Sequence, residues 1–153
     1  MATQSVHKNR QGPIWPLGLV TVAAPGTPVN LMSLVDAAQV NAPGTATSTT
    51  SDEYAPRCYS ITITACKAGA SHGLQANTGN IYIMLKGVQG AGNRDDYGAM
   101  VGVLSPGLVS TNVLFPQIVI TAAALNRDVF NPYDFYVDAD NASDGCLVTL
   151  EIQ

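Results

Sequence analysis

Charge is scarce in this chain. Lys, Arg, Asp and Glu together make up 12% of its 153 residues, against about 25% in an average soluble domain. Seven basic residues face eleven acidic ones, a net charge of −4, and no basic run exists. A phosphate backbone is held by clustered cations, so nucleic acid is not an expected partner. Long apolar runs are missing too. The longest, "IVITAAAL" at 118–125, is far short of the ~20 residues that cross a bilayer as a helix, so no membrane partner is expected. Pro16 and Gly18 interrupt the apolar stretch after Lys8 and Arg10, which argues against a signal peptide.

Cysteine is also sparse. Cys58, Cys66 and Cys146 make an odd number, so no closed disulfide framework follows. Cys58 and Cys66 stand at the two ends of one expected strand, ~26 Å apart at strand rise, beyond the reach of a disulfide. No Cys/His spacing suits zinc. The three read as small buried apolar residues in a chain matured in a reducing cytoplasm.

Helix signals are few. "LMSLVDAAQV" at 31–40 is the one stretch long enough for two or three turns, and "ITAAALN" at 120–126 offers a single turn after a strand. What remains is β-sheet pattern punctuated by Gly, Pro, Asn and Asp. In "CYSITITAC" (58–66) Tyr59, Ile61, Ile63 and Ala65 share one face, and Ser60, Thr62 and Thr64 the other. Ile81, Ile83 and Leu85 alternate with Tyr82, Met84 and Lys86, which hints at a second packing surface. Val148, Leu150 and Ile152 alternate with Thr149 and Glu151. Period-two alternation is the mark of a half-buried strand. Further strands are expected at 17–22, 28–32, 99–104, 117–121 and 134–138. About eight short strands with almost no helix predict an all-β fold, a jelly-roll-like two-sheet sandwich. The domain is expected over residues 17–153. Residues 1–16 read as an extended N-terminal arm, with Ile14 and Trp15 either anchoring it to a neighbour or folding back. The threonine-rich stretch 41–56 reads as an exposed loop.

The C-terminal "FYVDADNASDGCLVTLEIQ" raises the one question of chemistry. Asp138, Asp140 and Asp144 are the candidate cation ligands. A calcium loop of the EF-hand kind needs a third ligand, a glycine and a closing Glu at fixed positions. Ala142, Ser143 and Thr149 stand there instead, and no helices flank the loop. A hairpin turn accounts for more of the pattern, with Asp144-Gly145 as the turn dipeptide. Asp95 and Asp96 are adjacent in a Gly-rich loop and lack the gap that paired acid/base carboxylates need. No nucleophile elbow, P-loop or dinucleotide fingerprint is present. The residues therefore predict no enzyme and no cofactor.

The stretch "TGNIYIMLKGVQGAGNRDDYGAMVGVLSPG" (78–107), followed by "NPYDFYVDADNASDGCLVTLEI", resembles the layout of small β-sandwich virion proteins of tailed bacteriophages. The likeness is to capsid decoration, or cement, proteins and covers about half the chain. It implies a structural role on the capsid exterior of a virion, with the major capsid protein and other copies of itself, as dimer or trimer, for partners. Ile14, Trp15, Tyr54 and Tyr97 are the residues expected at such contacts, because aromatic and apolar groups in loops or arms anchor interfaces. A head-fibre or tail component, and a carbohydrate- or calcium-binding sandwich module, remain as alternatives.

Overall fold

The computed structural model describes residues 14–34, 57–86, 100–107 and 115–153. Their strands are β1 (Ile14–Thr21), β2 (Val29–Asn30), β3 (Cys58–Ala65), β4 (Lys67–Ala68), β5 (Leu74–Gln75), β6 (Ile81–Leu85), β7 (Met100–Leu104), β8 (Gln117–Thr121), β9 (Phe135–Ala139) and β10 (Gly145–Ile152). β4 and β5 pair only with each other. The rest form two four-stranded antiparallel sheets, ordered β1-β10-β3-β8 and β2-β9-β6-β7. With the β4–β5 ribbon set aside, the eight main strands in chain order run 1-8-3-6 in one sheet and 2-7-4-5 in the other. Every connection between consecutive main strands except β6 to β7 thus crosses between the sheets. That is jelly-roll connectivity, and the two sheets pack face to face as a sandwich.

Alternation drives this packing. Ile61 and Ile63 of β3, Ile81 and Ile83 of β6, Val137 of β9, and Val148 and Leu150 of β10 are fully enclosed between the sheets. Each such side chain contributes about 1.5–3 kcal/mol by leaving water. Leu31 and Met32, on a 3-10 turn spanning Leu31–Leu34, are buried in the same core cluster. This turn is what the structure shows of the helix candidate at 31–40; residues 35–40 lie outside the described residues. A second 3-10 turn, Ala123–Leu125, follows β8, where a single turn was expected. Met84 is fully enclosed as well, although it alternates with the core-facing residues of β6 and lies outside the core cluster. The second sheet therefore buries side chains on both faces.

Three details differ from the expectation. First, β1 starts at Ile14 instead of Leu17. Ile14 lies opposite Glu151 and Trp15 opposite Leu150, and Trp15 packs half-buried against the core. The far end of β10 offers a free edge there, and the chain takes it. Ile14, Trp15 and Pro16 thus belong to the sandwich, not to an arm; residues 1–13 lie outside the described residues. Pro16 is tolerated because β1 is an edge strand. Second, Leu17 is an extra residue in β1, since Pro16 faces Thr149 and Gly18 faces Val148. Gly18 takes φ 104° at this bulge, a conformation that a side chain would strain. Third, Tyr59 is an extra residue in β3, because Ser60 faces Glu151 and Cys58 faces Ile152. The bulge resets the alternation, so Cys58 enters the core and Tyr59, expected inward, stays half-buried.

Ile63 sits between Val148 and Ile118 in the middle of the first sheet, whereas Thr62 points to the opposite face. Ile63→Ala is expected to lose about 2–5 kcal/mol of stability. Thr62→Ala should stay within about 0.5 kcal/mol of wild type. Urea denaturation of the two variants checks the assignment of faces.

Candidate functional site

Two features of the sandwich invite a functional reading: the acidic corner after β9, and the outer face of the first sheet. The corner comes first because the sequence singled it out. β9 pairs in the second sheet and β10 in the first. The segment 140–144 is therefore an arch between sheets and not the hairpin that local pattern suggested. Alternating strands beside a turn look the same in both cases; only the long-range partners tell them apart. Its left-handed residue is Ser143, φ 70°, and not Gly145. Gly145 answers a different need: a Cβ there would fall onto the Val20 carbonyl oxygen where β1 passes.

The three aspartates face three separate sets of donors. Asp138, fully buried, accepts the Gly26 N–H with both carboxylate oxygens at 3.0 Å. Asp140 accepts the Asn80 N–H at 3.0 Å and the Tyr82 hydroxyl at 2.9 Å. Asp144, also fully buried, accepts the N–H groups of Thr78 at 3.0 Å and Gly79 at 2.8 Å. The Thr78 hydroxyl and the Lys67 ammonium donate to it as well, the latter at 3.0 Å. Beside it the Asn77 side chain acts as a short mock strand. Its Nδ2 donates to the Gly145 carbonyl at 2.8 Å, and its Oδ1 accepts the Gly145 N–H at 3.1 Å. The corner thus ties the β1–β2 connection to β9, and the segment before β6 to the arch and the start of β10. Among the described residues no group of three or more His, Cys, Asp and Glu side chains is placed to hold a metal ion.

Burial alone would raise the Asp144 pKa, but the donors of Thr78, Lys67 and Gly79 outweigh it and leave the carboxyl below its ordinary 3.8. The thiols shift the other way. Burial pushes Cys58 up to about 12 and raises Cys66. Cys146 is raised by burial and by the neighbouring Cys66. None of the three is in a disulfide, and all are buried. A thiol is a nucleophile or metal ligand as thiolate, so at neutral pH these three act as packing groups.

The outer face of the first sheet can be read from its register. One row across it is Leu19, Leu147, Thr64 and Gln117; the next is Pro16, Thr149, Thr62 and Val119; the third is Ile14, Glu151, Ser60 and Thr121. Of these twelve side chains one is ionisable, Glu151, and it accepts the Ser60 hydroxyl at 2.9 Å. Ile14 stands 73% exposed and Val119 54%. Among the four residues expected at contacts, Ile14 lies on this face and Trp15 on the inner one. Tyr54 and Tyr97 lie outside the described residues. Sequence reasoning noticed the threonine stripe of β3 but not its neighbours, because a face is assembled from strands about 90 residues apart, such as Ser60 and Glu151.

No protein-family model, no curated protein and no solved structure matches this chain. Among the described residues no helix is long and apolar enough to cross a membrane.

Asp144→Asn would leave Lys67 without its counter-charge and turn an amide toward backbone donors. Breaking a buried pair in this way costs about 3–5 kcal/mol, and thermal denaturation at pH 7 should show a loss of that order. Because the folded pKa is depressed, the contribution of Asp144 is whole above the unfolded value near 3.8 and is lost as pH falls through the folded value. The melting temperatures of wild type and Asp144→Asn should therefore converge as the pH is lowered below that point.

Proposed function

We propose that this protein is a non-enzymatic virion component, a decoration protein that binds the outer surface of a bacteriophage capsid and braces contacts between major capsid subunits. The observation that carries this reading is the outer face of the first sheet. It is broad, formed by paired strands, and carries one ionisable group in twelve positions. Charged side chains cost desolvation and side-chain entropy when covered; Val, Leu, Ile and Pro cost little, and Thr costs little once its hydroxyl finds a hydrogen-bond partner. Depletion of charge is the compositional mark of an interface core. The jelly-roll architecture, common among viral coat domains as well as lectins, supports the reading. So does the resemblance in layout of residues 78–107 and of the C-terminal strands.

Magnitude sets the mode of binding. Four strands about 4.8 Å apart and some 20 Å long give a face of about 400 Å² in plan. A stable interface takes about 800 Å² from each partner. The face alone is half of that, so a second contact or many copies must supply the rest. Residues 1–13 lead into the exposed Ile14 at the rim of this face, which makes them the natural second contact. Repetition over a shell adds avidity. Self-association as a dimer or trimer would serve the same end. Three buried cysteines outside any disulfide suit synthesis in a host cytoplasm before assembly on the particle.

Val119→Arg and Thr62→Glu place charge on this face without touching the core. Each is expected to keep the wild-type melting temperature and to lower binding to expanded capsids at least ~10-fold, one such charge at a covered position costing more than 1.4 kcal/mol. Deleting residues 2–13 should likewise weaken decoration and leave the fold intact. Full capsid binding by both substituted proteins would refute the face. Absence of the protein from purified particles of its source, imaged by cryo-electron microscopy, would refute the role. A melting temperature raised by calcium and restored by chelator would instead point to a cation-binding module.

A further inference from the structure

The acidic corner lies at one end of β6 and β9. At the other end of the same two strands is a cavity of about 450 Å³, within the ~300–1,000 Å³ usual for small-molecule sites. Its floor is apolar: Leu85, Leu125 and the edge-to-face pair Phe130 and Phe135, ring centroids 5.4 Å apart. Its rim carries Lys86, Arg127 and Asp134. Backbone hydrogen bonds fix the frame. The Lys86 N–H donates to the Asp134 carbonyl at 2.6 Å, and the Phe130 and Cys58 backbones exchange two bonds at 2.9 and 3.0 Å.

The rim is chemically unspent. The ion pair among the described residues is Lys67–Asp144; Lys86, Arg127 and Asp134 enter none with any of them. Two cations against one carboxylate give the rim a net +1 in a chain of net −4. A group that satisfies all three needs a carboxylate for Lys86 and Arg127, an N–H for Asp134, and an apolar body for the floor. An isolated fatty acid lacks the N–H; a free sugar lacks the charge and the apolar body.

We infer that this cavity binds a small amphipathic carboxylate of the N-acylated apolar amino-acid class. Arg127 receives the carboxylate in a two-pronged hydrogen bond, with Lys86 as a second charge. Asp134 accepts the amide N–H, and the side chain rests on the half-buried Leu85 and Leu125, which the two enclosed rings back from beneath. This inference stands apart from the capsid role, since the cavity shares no residue with the outer face of the first sheet.

The probe is N-acetyl-L-phenylalanine, titrated into the ¹⁵N-labelled full chain. A ligand of about fifteen non-hydrogen atoms in a half-open site should bind with Kd of about 0.1–1 mM. Saturable shifts are expected at the amides of Leu85, Lys86, Arg127, Phe130 and Phe135. N-acetyl-L-phenylalaninamide, which lacks the charge, should bind at least ~10-fold more weakly. Lys86 and Arg127 are exposed, so the double variant K86A/R127A should fold as wild type and lose the acid by the same factor. Asp134→Asn should narrow the preference for the N-acetyl acid over 3-phenylpropionate. No saturable shift at these amides up to about 10 mM would overturn the site. Equal affinity for acid and amide, or full affinity in K86A/R127A, would overturn the assigned chemistry.

Discussion

A single buried carboxylate holds the two halves of this sandwich in register. Asp144 sits at the corner where the chain leaves one sheet for the other, fully excluded from solvent. Without partners such a charge would be costly to bury. With two N–H groups, a hydroxyl and an ammonium around it, it becomes the point where three separate stretches of chain meet. Lys67 leads the small ribbon, Thr78 and Gly79 precede β6, and Asp144 opens β10. That anchor ties the approach to β6, in the second sheet, to the start of β10, in the first. Asn77, pairing with Gly145 as a strand would, extends the same lock by one residue.

That arrangement decides how the acidic loop is to be understood. Three aspartates within seven residues look like a ligand set when only the sequence is in view. In the fold each carboxylate answers to backbone amides instead, Asp138 to Gly26 and Asp140 and Asp144 to successive residues of the 78–80 segment. The loop is acidic because arches between sheets leave N–H groups unpaired, and short acceptor side chains satisfy them. Surface chemistry is left to the strand faces and to the far end of the sandwich, where Lys86, Arg127 and Asp134 form no ion pair among the described residues.

Much of the fold was legible in the sequence, for a physical reason. Strands with one core face and one outer face, such as β3 and β10, write their burial directly into period-two alternation. The single turn after β8 was legible from its alanines and Asn126, which closes it with φ 53°. What failed was everything fixed by a distant partner. The bulges at Leu17 and Tyr59 arise from register against β10; Gly18 marks the first, and nothing local marks the second. The ribbon of β4 and β5 is two residues long on each side, too short for any period. The candidate ligands were found as residues but without their donors, because those of Asp144 lie 65 to 77 positions away. Ile14 and Trp15 were separated from the domain by their prolines, although proline at a sheet edge gives no such boundary.

The pairing of β1 with β10 joins Ile14 to Glu151. These residues stand at nearly opposite extremes of the chain, and β10 is also the central neighbour of β3. The first sheet therefore has no complete interior until its last strand has been synthesised and inserted between two strands that wait for it. Contacts of such separation carry a heavy loop-closure entropy and place folding in the millisecond-to-second range typical of sandwiches. During that interval β1 and β3 each present an open edge where β10 will lie. Unpaired edges of that kind are where one copy can pair with another, so the wait for β10 is the step most exposed to aggregation.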